Sequence, residues 1–571
     1  MGELDRRRFL AAVAATLGVA AVTATVWVEA LSRVRVAHGR PKPTLVTDWG
    51  AKVDGKRRKD ATISPGSLNV VSCSGYDFTA ADVGKILIIG LGTGHTQHAG
   101  STPNQPHITT IASISGNNAV LKTPAAQAVS AAFVAWGTDD GAAWLAALTD
   151  MTNSYDSQLI MPAGISICGQ AISLAPKDNI ELFSLRGASV GTSEIICTAP
   201  GGFLTLDVTG APWGGMLSNF DFRELTLTSA VAGASHALSV TSTGVGSRHS
   251  RSYTAEHILC QGFDQDDGYW DKPIEAIGMY LALLNDVVIN GLWTPTTDML
   301  DTESIYLPTL AINLNNSFAP ELSHLNISDC KRAVQMIASG SQGGFFNECS
   351  IADCREGIYF QTDGRQPQLT IRGGWLSCRD FNICLNTRAL TIISDVALCG
   401  TPQVSWNPSS TLATALTTGS SPTVLTLAST AGFPQVGALK IGSEWFTYNN
   451  LATGMDGTAL HNVVRSQFGT GDPGSDYEIG ATVSAARADI VLINTTATRI
   501  NNSLFTYEQR ANRIGVLLHS GNIDCSVANS YADIRNDGIL AAIGNDSSNT
   551  QILNNTCTPG TVAVLGGVAP H

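Results

Sequence analysis

The sequence predicts an all-β chain wound as a parallel β-solenoid, and two observations carry that expectation. The first is a near-repeat. Asp329-Cys330-Lys331-Arg332-Ala333-Val334 is answered by Asp353-Cys354-Arg355-Glu356-Gly357-Ile358 and by Ser377-Cys378-Arg379-Asp380-Phe381-Asn382, so that Cys330, Cys354 and Cys378 are each 24 residues apart. A fixed period of that length marks stacked structural units. The second is the texture between the cysteines: short β-branched or apolar runs (Leu325 to Ile327, Val334 to Met336, Leu369 to Ile371) separated by Gly, Asn, Asp and Ser. These are strand and turn signals. Three such strands per coil, with coils about 4.8 Å apart, build a core that grows with every repeat.

In chain order, residues 1–30 read as an export signal or membrane anchor. Asp5-Arg6-Arg7-Arg8-Phe9-Leu10 is a basic head and Ala11 to Val28 an apolar run, a pattern of targeting and not of fold. The arginine pair with Phe9 and Leu10 resembles the twin-arginine export signal, whose cargo crosses the membrane folded. The expectation is a secreted or periplasmic protein whose membrane contact is confined to this segment. An ordinary export signal and an uncleaved anchor fit the same residues.

Residues 31–59 form a linker and first strand. There Val46-Thr47-Asp48-Trp49-Gly50-Ala51-Lys52-Val53-Asp54-Gly55 meets its continuation only at Thr138-Asp139-Asp140-Gly141-Ala142-Ala143-Trp144-Leu145-Ala146-Ala147-Leu148. This split signature resembles the N-terminus of the pectate-lyase-like right-handed β-helix superfamily, in which a first strand and an Asp-Gly turn lead to a capping helix. The resemblance implies a right-handed parallel β-helix with an N-terminal capping helix, a polysaccharide partner, and relatives among glycoside hydrolases, polysaccharide lyases and phage tailspikes. Asp139 or Asp140 would cap the helix, with Ala143, Leu145, Ala146 and Leu148 on its apolar side. Such a cap protects an open solenoid end from pairing with another chain.

Residues 60–136 and 403–483 interrupt the coils as small β-rich insertions. Both resemble modules of phage tail and secreted β-helical proteins, as carbohydrate platforms or as packing and oligomer contacts. The helix itself is expected over 137–402, with C-terminal coils and a tail over 484–571, about a dozen coils in all. A homo-oligomer is implied only by the likeness to tail-like proteins.

Thirty-four Lys and Arg face 47 Asp and Glu, a net charge of -13, which argues against a nucleic-acid groove. Of the 12 cysteines, those a coil apart suit an inward ladder of free thiols, with Cys260 as an earlier member; neighbouring coils also satisfy disulfide distances. No zinc spacing, nucleophile elbow, dinucleotide turn or phosphate-binding loop is present, so no cofactor is expected. The one metal reading is a structural Ca2+ held by loop carboxylates.

Two sets of acids could carry chemistry. The loops near Gln261 to Ile274 and Trp293 to Tyr306 supply Asp266, Asp267, Asp298, Asp301 and Glu303 as catalytic candidates, with Tyr269, Trp270, Trp293 and Tyr306 as aromatic partners for sugar rings. Asp329 and Asp353 would stand one coil apart, close to the roughly 5 to 5.5 Å that retaining glycosidases need between carboxyl groups. Either aspartate could instead cap a turn. Glu356, Asp363 and Arg365 lie on the same portion of the solenoid as substrate-binding candidates. The region is richer in acids than bases, favouring hydrolysis of a neutral glycan over attack on a polyanion. The Gly-His-Gly and Arg-Ile-Lys elements of polygalacturonase-type relatives do not occur, so their catalytic residues do not transfer. The expected activity is glycoside hydrolysis. A lyase acting on a uronate and a non-enzymatic glycan-binding or tailspike-like adhesion protein are the alternatives.

Overall fold

The computed structural model describes residues 43–566, except 91–104, 155, 179, 212–217, 244–250, 265–266, 295–304, 339, 363–367, 400–407, 469, 471–475, 507–512, 535–538, 546 and 559–560. The chain is a parallel β-helix: one 32-stranded sheet winds through three faces, which we call A, B and C in the order the chain visits them. The export reading of residues 1–30 lies outside the described residues. Among these, no helix is long and apolar enough to cross a membrane.

Each face is held by a register column of inward residues. On face A it runs Leu159, Leu185, Phe222, Ala255, Leu284, Leu322, Phe346, Ile371, Ile393, Ile500, Val527 and Ile552, with Thr44 ahead of it. Face B stacks Ile195, Leu227, Cys260, Ile289, Ile327, Ile351, Leu376, Leu398, Phe505, Ala532 and Cys557. Face C stacks Ile172, Leu204, Leu238, Ile274, Ile312, Val334, Ile358, Ile383, Ile490, Val516, Ala541 and Val564. Alternation along each strand sends these side chains inward, where they form one apolar core.

The corner between faces A and B is the constant element. From Phe222 onward the inward residue of face B follows that of face A by five positions in every coil, and the residue two past the face A position is left-handed. Glu224, His257, Asp286, His324, Glu348, Gly373, Asp395, Asn502, Asn529 and Asn554 form this column, with φ between 50 and 65°. The column bends the chain with a single residue, at a cost that Asn, Asp and Gly bear most easily. Gly374, next to it at φ 88°, has no room for a side chain, because a Cβ would collide with the backbone oxygen of Cys349. Gly374→Ala should therefore lower stability by roughly 1–3 kcal/mol, read as a shifted denaturation midpoint.

Corner B–C is where chain length varies, and the second module leaves and re-enters there, between Leu398 and Ile490. The cysteine ladder stands at this corner: Cys330, Cys354 and Cys378 are fully buried, and all 12 cysteines are free thiols. Cys260 is not part of that ladder. It belongs to the face B column between Leu227 and Ile289, the column of Ile327 and Ile351.

The N-terminal cap is the helix α1 (Gly141–Thr152). Asp139 Oδ1 accepts the first helical N–H, that of Gly141, at 2.9 Å. Asp140 instead accepts from the backbone of Lys52 and Val53 and from Ser166 Oγ, tying the first strand to the cap. The buried side is Trp144, Ala147, Leu148 and Met151, an i, i+3, i+4, i+7 stripe set by Trp144, which leaves Leu145 39% exposed. Two further modules cover parts of the helix. Strands from Lys56 to Gly137 close a six-stranded barrel, whose Ile88 and Ala135 pack on Ile167, Ile196, Ala230 and Phe263. A five-stranded sheet between Ser409 and Ala486 lays Val436, Ala438 and Trp445 over Tyr359, Cys384, Val491 and Leu517, the outward residues of face C.

Candidate functional site

Corner B–C brings the chemistry together. Its loops lead into the face C strands Ile274–Ile277 and Ile312–Asn313, and the residues one past the inward column of that face form an outward polar strip: Ser239, Glu275, Asn313, Gln335 and Tyr359. Glu275 is its charged centre. Its Oε1 accepts from Asn313 Nδ2 at 2.8 Å and its Oε2 from Ser239 Oγ at 3.3 Å, while His236 Nδ1 stands 3.5 Å away. Further along, Arg332 donates from Nε to Glu356 Oε2 at 2.6 Å and from Nη1 to Gln335 Oε1, and lies 4.8 Å from the Tyr359 ring. Tyr359 shares an apolar cluster with Val436 and Trp445 of the second module, which closes this end of the strip.

Asp329 and Asp353 stand on the same corner. Ser328 pairs with Ala352, so the two aspartates are successors on adjacent coils, separated by about one strand spacing of 4.8 Å. Both are left-handed, at φ 60° and 53°. Asp353 is also a bulge: Ala352 pairs with Ser377 and Cys354 with Cys378, which leaves it unmatched. Bulges of this kind re-aim a side chain. Asp353 is half-buried, and burial pushes its carboxyl above the ordinary value of 3.8. Its carboxyl has no hydrogen-bonding or ionic partner among the described residues, so it caps no turn.

Behind this pair the corner is built from buried ions. Asp380 is fully enclosed between Arg355 Nε and Arg379 Nε, each at 2.8 Å. Burial alone would raise its pKa, but the two guanidinium groups hold it below the ordinary value. A depressed folded-state pKa gives stability that is present above the unfolded value near 3.9 and is lost as pH falls through the folded one. Melting of the native chain should thus fall more steeply between about pH 5 and 1 than that of Asp380→Asn, and equal slopes would remove Asp380 as the cause.

The remaining sequence candidates fall into three groups. Asp266, Asp298, Asp301, Glu303, Asp363 and Arg365 lie outside the described residues. The backbones of Trp293 and Tyr306 pair directly in a two-stranded ladder. The others are enclosed to differing degrees. Asp267 is buried, its N–H donating to Asp264 Oδ1 at 2.7 Å, and the barrel backbone at Gly90 approaches both carboxylates closely. Trp270 belongs to the apolar core, and its Nε1 donates to the Leu227 carbonyl at 3.2 Å. Tyr269 is half-buried; burial, then Asp271, raises its phenol. Glu356 is buried under Arg332, and its Oε1 has no hydrogen-bonding partner among the described residues. Among those residues no three His, Cys, Asp or Glu side chains gather as a metal site.

Fold and corner together define a parallel β-helix protein with a polar strip on one face and an aspartate pair at the adjoining corner. No family model and no curated protein matches the chain. Among solved structures it is similar to the A-module of mannuronan C-5 epimerase AlgE4 from Azotobacter vinelandii, at 13% identity and a TM-score of 0.40 over 76% of this chain and 95% of that one. It is also similar to the catalytic domain of a GH87 α-1,3-glucanase in complex with nigerose, at 9% identity and a TM-score of 0.30 over 90% and 99%. A third likeness is to the tailspike gp61 of Pseudomonas phage phi297, at 9% and 0.16 over 78% and 85%. Similarity at this level leaves the chemistry to be read from the chain's own residues.

Proposed function

We propose that the chain is an exported glycoside hydrolase acting on an extended, neutral polysaccharide, with Asp353 as general acid and Asp329 as the attacking carboxylate. The observation that carries this reading is Asp353 itself, an unpartnered, half-buried carboxyl on a bulge one coil from a second aspartate. Burial shifts the Asp353 carboxyl toward its protonated form, the direction a general acid for the glycosidic oxygen needs. A second aspartate whose backbone lies one strand spacing away, about 4.8 Å, is the candidate to attack the anomeric carbon with retained configuration. Of the face C strip, Gln335 is partly exposed beside this corner, whereas Ser239, Glu275 and Asn313 are buried and bonded to one another, a support for the strand face and not a contact for sugar. Arg332 is committed to Glu356, and Arg355 and Arg379 to Asp380. That commitment favours a neutral chain over a uronate polymer.

Purified protein incubated with neutral and acidic polysaccharides, followed by product mass, tests the proposal. New reducing ends without an unsaturated sugar support hydrolysis. An unsaturated product establishes a lyase instead, and a glycan retained at full length establishes a binding protein. Export by the twin-arginine route is tested separately, by replacing Arg6 and Arg7 with lysine and following the protein between cell fractions.

A further inference from the structure

We propose that the C-terminal half of face B is a second glycan-binding strip, one that takes a neutral polysaccharide by ring stacking and is separate from the carboxylate corner. Trp375, Ala397, Leu504 and Tyr531 follow one another in a single outward register column. Trp375, Leu504 and Tyr531 are 45%, 38% and 43% exposed. The two rings stand three coil spacings apart, about 14 Å, a span that several pyranose units cover.

Position and chemistry select the occupant. The N-terminal coils of face B lie under the barrel and the C-terminal coils of face C under the second module, whereas among the described residues neither module packs on this stretch of face B. Trp375 Nε1 donates to Cys399 Sγ at 2.7 Å, so its polar atom is used within the chain and ring surface is what remains to offer. Alongside runs the left-handed column Asp395, Asn502, Asn529 and Asn554. All four are exposed, one per coil, and Asn502 Nδ2 lies 3.5 Å from Asp395 Oδ1. Rings beside a row of amides match a sugar chain, which presents apolar ring faces and hydroxyl edges together.

Charge and size exclude other occupants. Neither column contains a cation, and the one beside them, Arg372, is exposed but set against Asp395 at 3.8 Å, so the strip suits a neutral chain better than a polyanion. The exposed apolar side chains of the column are three, Trp375, Leu504 and Tyr531, few against the roughly 800 Å² per partner that a stable protein interface buries.

The test is affinity electrophoresis in native gels cast with dextran, soluble starch, xylan or alginate, using the full chain, Trp375→Ala, Tyr531→Ala and the double variant. At least one neutral polymer should retard the native chain, and the dissociation constant should weaken roughly tenfold per ring removed. Trp375→Phe should keep most of the binding, and melting temperatures should show that each variant is folded. Binding to the strip does not require the aspartate pair, so retardation should persist in Asp353→Asn; this separates failure of the strip from failure of the hydrolase assignment. Retardation by alginate alone, by no polymer, or equally in the double variant would overturn the proposal. So would a dimer of the native chain, seen by light scattering, that the double variant loses.

Discussion

Asp353→Asn is expected to lower the hydrolytic rate by roughly 10²- to 10⁴-fold, the contribution of a positioned general acid, while leaving the melting temperature unchanged or slightly raised. The two readouts separate catalysis from structure. A turn-capping aspartate loses hydrogen bonds when it becomes asparagine, but the carboxyl of Asp353 makes none among the described residues, and burial disfavours its ionised form. Folding raises this pKa, so the stability it contributes is fully present below the unfolded value near 3.9 and is lost as pH rises through the folded one. The variant should lack that slope. The rate of the native chain should fall on the alkaline side as Asp353 gives up its proton, and the variant should lack that limb too. Asp329→Asn should be equally inactive, with no glycosyl intermediate formed. Full activity in both variants, with a lower melting temperature, would return the pair to a structural role.

How much of this could be read from the sequence depends on which corner is considered. The coil period was visible between Cys330 and Cys378 because corner B–C is short there, with seven positions from Ile327 to Val334, from Ile351 to Ile358 and from Leu376 to Ile383. The same corner takes 14 positions from Cys260 to Ile274 and 23 from Ile289 to Ile312, so no fixed period survives across the chain. From Phe222 onward corner A–B is constant, and it left no sequence mark. Its left-handed position is defined by backbone conformation and is filled in turn by Glu, His, Asp, Gly and Asn.

The polar strip was hidden for a related reason. Ser239, Glu275, Asn313 and Gln335 are neighbours only through register. The available signal was an apolar-polar pair opening each face C strand: Leu238-Ser239, Ile274-Glu275, Ile312-Asn313 and Val334-Gln335. The acidic loop residues drew attention by composition. The one of them that is described, Asp267, is buried where the barrel backbone approaches. No local pattern announces that contact, because the barrel is more than 100 residues away in sequence.

The largest expected effect on stability lies where the second module re-enters the helix. Asp489 is fully buried between Arg487 Nη1 at 2.5 Å and Arg513, which donates from Nη2 at 2.6 Å and from Nε at 3.0 Å, and it accepts a fourth hydrogen bond from Asn382 Nδ2 at 3.1 Å. Arg487 also donates to the carbonyls of Cys378 and Arg379, and Arg513 to that of Leu398. One carboxylate therefore bridges two buried cations that clamp three successive coils and both ends of the module excursion. Asp489→Asn keeps the shape and removes the charge, leaving two guanidinium groups in a dry corner, at a cost of about 3–5 kcal/mol. Contacts in a solenoid are nearest-neighbour, so the loss should be local. Hydrogen exchange should rise over residues 488–520 while the coils around Phe222 stay protected, and denaturation should become biphasic. Exchanging Arg487, Asp489 and Arg513 together for Met, Leu and Met should recover much of the loss, since apolar groups of similar volume replace buried ion triads well. If Asp489→Asn unfolds within about 0.5 kcal/mol of the native chain, the triad is not what joins the C-terminal coils to the rest.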